Sequence, residues 1–146
     1  FASKLTDGEV KPARAQVLIT EPIYDLEIKG TFHLDRGYYY FREYQGCILF
    51  GGGRNLDFKT ETSTDFTLNQ KIQEDLISKL QNLILPQQPF EIDMQWTGIM
   101  AFGQSKRPII KQHSENVLVG VRMGGMGVAI GSEVAYQLSD LLKNTQ

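Results

Sequence analysis

Val117-Leu118-Val119-Gly120-Val121-Arg122-Met123-Gly124-Gly125-Met126-Gly127 runs straight into a helical pattern over residues 128–142. Residues 116–121 form a nearly continuous apolar run, the kind of strand that a sheet buries on both faces. The glycines make a turn, and the helix carries Ile130, Val134, Leu138 and Leu141 on its core face. A buried strand, a glycine turn and a helix N-terminus build an anion-accepting corner. The first amides of the helix have no partners within it, and the helix dipole adds partial positive charge there. Gly127, Gly131 and Ala135 recur four residues apart, giving a small face that lets the helix approach a sheet or a cofactor. Spacing alone also allows a tight turn with no ligand. The corner is not a dinucleotide fingerprint, because Gly131 follows Gly125-x-Gly127 one residue too late for GxGxxG. A second strand with an acidic residue about 20 positions on is also missing before Gln146.

Working outward, residues 67–83 read as a helix, with Leu68, Ile72, Leu76, Leu80 and Leu83 as one stripe and Thr67/Gln70 as a capping box. Pro86 and Pro89 stop it. Residues 15–20, 31–35, 38–43, 47–50 and 90–98 read as strands, the last carrying Trp96, and residues 1–14 as an irregular lead. Tyr44-Gln45-Gly46 is short enough for a hairpin. Strands, a helix, more strands and a strand–helix finish make an α+β pattern.

The 146 residues are one domain's worth, 41% hydrophobic and 22% charged, which excludes wholesale disorder. A net charge of −2 disfavours nucleic acid and anionic membrane surfaces. The aromatic run 38–43 fails the RNA-binding RNP1 pattern at Tyr39 and Glu43. No run of about 18 apolar residues offers a membrane span. The single cysteine, Cys47, builds no disulfide framework or cysteine zinc site, so a reducing compartment, the cytoplasm, is the expected setting. His33 and His113 lie far apart without a second ligand at helical spacing, so no metal is expected.

Two further features bear on chemistry. In a strand, Tyr38, Tyr40 and Arg42 share one face and Tyr39 and Phe41 the other. Tyr and Arg side by side suit a carboxylate, through a charge-assisted fork and a phenol donor, although an amphipathic strand with a solvated Arg has the same pattern. Gly51-Gly52-Gly53 marks either a bulge or turn, or a strand end opening onto a ligand.

Four blocks, in order, resemble the C-terminal half of the FAD-dependent oxidoreductases of the D-amino-acid oxidase, glycine oxidase and sarcosine oxidase superfamily. Lys11-Pro12-Ala13-Arg14-Ala15-Gln16-Val17-Leu18 is similar to the family's P-x-R-G-Q-V-L. Residues 38–42 with 48–54 (ILFGGGR) resemble its Y-x-R … G-G hairpin. Trp96-Thr97-Gly98-Ile99 with Arg107-Pro108-Ile109-Ile110 resembles W-x-G-L-R-P … P-x-I-G, and residues 116–127 resemble N-x-x-x-x-x-G-x-G-H-G. Met126 stands where the family often has His, Met100 where it often has Arg, and Ala15 where it has Gly.

The resemblance implies a largely antiparallel mixed sheet of the oxidase substrate domain over residues 1–112, with flanking helices. Residues 113–146 would then be the strand–turn–helix that completes a FAD-binding domain. The GxGxxG part is absent and the chain opens on Phe1, so a fragment of a longer protein is expected. The implied cofactor is noncovalent FAD, with Gly124, Gly125, Met126, Gly127 and Val128 facing the flavin. The implied substrate is a small amine or amino acid, with Tyr40, Arg42, Arg54 and Arg122 as contacts and Arg42 ranked first. Its partner would be the rest of its own FAD domain, and the fragment alone is expected to be inactive. A second reading is a non-catalytic binding or assembly domain with no redox role.

Overall fold

In the computed structural model, which describes residues 2–144, the three aromatic-rich segments in the first third of the chain become an antiparallel meander. β1 (Lys11–Thr20) precedes it, and β2 (Thr31–Leu34), β3 (Tyr39–Tyr44) and β4 (Cys47–Gly52) pair in succession. β1 adds antiparallel to the free side of β4, and β5 (Ile92–Phe102) follows it, giving the order β2-β3-β4-β1-β5. The β3–β4 hairpin turns on Gln45 and Gly46, whose φ values of 53° and 83° twist with the strands as a type I′ turn does. The α+β reading holds. The irregular lead does not: β1 begins at Lys11, and α1 (Ala2–Leu5) precedes it.

The chain forms two compact units, Arg14–Ile99 and the pair of segments Phe1–Ala13 and Met100–Gln146. The boundary expected at 112/113 falls inside β6 (Ile109–Ser114), which is paired with β7 (Val117–Val121).

In the 14–99 unit, alternation puts Tyr39, Phe41, Ile48, Phe50 and Leu18 on one sheet face, where α2 (Gln70–Lys79) covers them. Ile72, Leu76 and Leu80 are fully buried there, while Leu68 and Leu83, the expected ends of the same stripe, are 41% and 60% exposed. The helix widens into a π turn over Leu80–Ile84 before Pro86 ends it. It starts later than expected, and the Thr67/Gln70 capping box does not form. Asn69 is the N-cap, but its amide donates to Gln16 Oε1 and its side chain to Glu61 and Asp57. A buried carboxylate outbids the helix end for this residue. Gly52 is obligatory for a local reason: its φ is 131°, and a Cβ there would strike the Tyr38 carbonyl oxygen.

The other unit holds the two-stranded β6–β7 hairpin and α3 (Gly127–Lys143). The expectation that β7 is buried on both faces is overturned: only Val119 of that strand is fully buried. β7 pairs with β6 and packs against α3, and Val117 is exposed while Leu118, Gly120 and Val121 are only partly covered. The expected small face is not what brings α3 close. A Cβ at Gly131 would meet nothing within 4 Å, whereas a Cβ at Gly120 would lie 2.6 Å from Leu138 Cδ1 and 2.8 Å from Val134 Cγ1. The glycine that matters for close packing is in the strand, and the helix meets it with its branched side chains.

Candidate functional site

The sheet of the 14–99 unit has a helix-covered face and an opposite face, and β3 alternates between them. Tyr39 and Phe41 belong to the core, so Tyr40, Arg42 and Tyr44 point the other way. Tyr40 is half-buried; its direct neighbours across the ladder are His33 on β2 and Gly51 on β4. Burial pushes its phenol above the usual tyrosine range. Arg42 is exposed, with its guanidinium 5.1 Å from the centre of the Tyr44 ring, a cation–π contact that extends the arginine along the face. Tyr38, expected on the same face, lies just outside β3 and meets Phe58 edge-on. Arg54 follows the glycine run in a short 3-10 turn, with its guanidinium 4.9 Å from the Phe58 ring centre. Burial lowers the pKa of that guanidinium, against the opposing pull of Glu61 and Tyr38.

Arg122 belongs to the other unit and is committed within it. Its Nε donates to the Arg107 carbonyl at 2.8 Å, and its guanidinium lies 3.8 Å from Glu9. Its backbone is left-handed at φ 65°, and the bend continues through Gly124 at 57° and Gly125 at 87° into the Met126 N-cap of α3. Met126 donates its amide back to Met123 and accepts from Ala129 and Ile130. The amides of Gly127 and Val128 have no hydrogen-bond acceptor among the described residues. Gly125, Met126 and Val128 are exposed. The bend is bordered, not filled: Cβ positions at Gly124, Gly125 and Gly127 would meet Phe102, Met100 Sδ and Met123 Sδ at 3.9, 3.5 and 3.6 Å. Amides without an acceptor at a helix N-terminus offer partial positive charge to an electron-rich group.

One cluster escaped the sequence reading. Arg14 and Gln16 alternate onto the helix side of β1 and converge on Glu61, which is fully buried. Arg14 Nη2 lies 2.7 Å from Glu61 Oε1, Gln16 donates to Oε2 at 2.9 Å, and Asn69 donates to Oε1 at 2.9 Å. Burial raises the Glu61 pKa, but the hydrogen bonds from Arg14, Gln16 and Asn69 and the Arg14 charge outweigh it and hold the carboxyl below its ordinary value. The chain of amides continues through Gln73 to Gln95 on β5. Arg14 and Gln16 therefore anchor the 57–69 loop to the sheet. Their spacing in the P-x-R-x-Q block was the available signal, but Glu61 lies 47 residues from Arg14 and nothing local points to it.

A cavity of about 430 Å³ in the same unit, lined by Asp25, Glu27, Ile28, Ile84 and Leu85 among others, contains none of the candidate residues. Among the described residues, no group of three or more His, Cys, Asp or Glu side chains could hold a metal, and no helix is long and apolar enough to cross a membrane.

A sequence profile of the FAD dependent oxidoreductases matches residues 1–141. The chain belongs to that family. Among solved structures, this FAD dependent oxidoreductase chain is similar to iminodiacetate oxidase from Chelativorans sp. BNC1, at 14% identity over 97% of the chain with a TM-score of 0.75. It is similar to L-proline dehydrogenase from P. horikoshii, at 17% identity over 94% with a TM-score of 0.72. Glycine oxidase from Bacillus cereus ATCC 14579 matches at 12% identity over 94%, with a TM-score of 0.69. The chain spans 40%, 37% and 36% of those three chains. No curated protein sequence matches it.

Proposed function

We propose that the full protein oxidises an amine or amino acid to an imine, with noncovalent FAD as hydride acceptor. Family membership supports FAD; the observation that carries the placement is the glycine bend, where Gly124 and Gly125 are left-handed and the Gly127 and Val128 amides have no hydrogen-bond acceptor among the described residues. When bound, the flavin supplies the redox chemistry by accepting hydride at N5. The chain's own contribution is charge stabilisation and orientation. Residues 124–128 offer amides and a helix dipole to the electron-rich edge of the ring. The thioethers of Met100 and Met123 border that corner with apolar, deformable surface.

On the sheet face of the 14–99 unit, Arg42 is the first candidate for a substrate carboxylate, because it is exposed and its guanidinium is already oriented over the Tyr44 ring. Tyr40 adds a neutral phenol donor. Arg54 stands next, and Arg122 last, since its guanidinium is occupied within its own unit. Residues 1–112 act in this reading as substrate domain and 113–146 as the returning part of a FAD domain, with the rest of that domain as partner. Without that partner the chain is proposed to be inactive.

The test is dye reduction by the full-length protein over a panel of amines and amino acids, followed by Arg42→Ala. A charge-assisted hydrogen bond lost from the substrate lowers kcat/KM by about 10- to 100-fold, mostly through KM. A panel in which no member reduces the dye or bleaches flavin absorbance would falsify the amine reading. An unchanged KM in Arg42→Ala removes that residue from the site.

A further inference from the structure

Gly51 lies in β4 outside the left-handed φ region that favours glycine, yet it has no room for a side chain. A Cβ built there would lie 2.6 Å from the Tyr40 hydroxyl and 2.7 Å from its Cζ, and 3.1 Å from the Gln16 carbonyl oxygen. Gly51 and Tyr40 are direct partners across the β3–β4 ladder, so both present to the same face. The Tyr40 ring therefore lies down across its neighbour instead of standing off the sheet. The cause is distinct from those at the two following glycines. Gly52 is excluded from bearing a Cβ by backbone, and Gly53 by left-handed φ and Ile72 of α2. At Gly51 the two closest obstacles are atoms at the far end of one side chain, which gives way by swinging, and the Gln16 carbonyl at 3.1 Å has to yield only a few tenths of an ångström.

We infer that Gly51 is a positioning residue: the space of its missing side chain is the seat of the Tyr40 phenol and fixes where that phenol meets substrate. The functional half of this statement rests on the amine-oxidation reading, while the seat itself does not. The geometry has two consequences. A methyl group at position 51 displaces the phenol and asks only a small adjustment of the β1 strand at Gln16, so the hydrogen-bonded ladder is expected to persist. A displaced phenol loses the shelter that holds it protonated, so it titrates nearer to free tyrosine.

The experiment uses the full-length protein carrying 3-fluorotyrosine, with the Tyr40 resonance assigned by its loss in Tyr40→Phe. In Gly51→Ala that resonance is expected to shift and its titration midpoint to fall, while kcat/KM drops roughly 10- to 100-fold. In a Tyr40→Phe background, Gly51→Ala is expected to add less than about threefold, because the ring still moves but the hydroxyl that would meet substrate is already gone. An unchanged resonance and midpoint in Gly51→Ala overturns the seat. A moved phenol with unchanged kcat/KM overturns the positioning role. A moved phenol in a protein whose wild type turns over no amine supports the seat and removes the proposed reaction instead. Should Gly51→Ala fail to fold, Tyr40→Ala/Gly51→Ala decides: recovery of folding supports the seat, and failure of the double variant assigns the clash to backbone and overturns it.

Discussion

Both units lay an amphipathic helix on an antiparallel hairpin, and the results differ. α2 lies over aromatic residues of β3 and β4 and buries Ile72, Leu76 and Leu80 completely. α3, which is longer, fully buries only Val134 against β6 and β7. The difference lies in the surface beneath. Five strands with Tyr39, Phe41 and Phe50 facing inward offer a broad apolar floor, whereas a two-stranded ribbon offers Ile109 and Val119. Helical periodicity reports that a face exists, not how much of it the fold covers.

The comparison breaks first at the polar anchors. Arg14→Ala leaves Glu61 charged and buried, at a cost of roughly 3–5 kcal/mol in urea unfolding. Arg122→Ala, in the other unit, removes an exposed hydrogen bond and a loose ion pair and costs about 1 kcal/mol or less. Equal losses would sink the distinction between the units. The Glu61 carboxyl has its folded pKa below the unfolded one, so its stabilisation is present above about pH 4.5 and lost as pH falls through the folded value. Glu61→Gln is therefore expected to flatten the acid limb of a stability–pH profile.

At the next level, Leu76→Ala is expected to cost about 3 kcal/mol, and Val134→Ala about 1.5 kcal/mol. Amide exchange sharpens this: α2 should exchange far more slowly than α3, and comparable protection in both would refute the contrast. A last effect, of the same size as Val134→Ala, belongs to Tyr39, whose hydroxyl donates to Asp75 at 2.8 Å beneath the Lys79 ammonium. Tyr39→Phe should cost about 1.5 kcal/mol at neutral pH. Burial first, and then the Asp75 hydrogen bond, raise this phenol's pKa. The wild-type advantage is thus full below the ordinary tyrosine value near 10 and declines as pH climbs beyond it. Alkaline melting curves that stay parallel for the two proteins would contradict that coupling.

What sequence made legible follows from range. β3, β4, the core of α2 and the turn into α3 are local patterns, and each stands where alternation or helical spacing placed it. β5 runs past Gly98 to Phe102 because a single glycine interrupts a ladder without ending it. The capping box failed for a reason that helical spacing does not show: Gln16, 53 residues away, and Glu61, eight residues away in the preceding loop, claim Asn69. The same applies to the candidate site. Tyr40 and Arg42 share a face by simple alternation, but the need for glycine at position 51 is visible only across the ladder. Arg122 has motif position in its favour, and its commitment to Arg107 and Glu9 emerges only from the folded bend.

Gly120 carries a consequence for how this fold changes over generations. Leu138 and Val134 occupy the notch that its bare Cα leaves in β7. Any larger residue arriving at position 120 lifts α3 from the ribbon unless Leu138 and Val134 have already been trimmed. Strand and helix are thus ordered in time: lineages that enlarge the strand residue are expected first to have passed through a slimmer helix. Reconstructed ancestors should preserve that sequence of events.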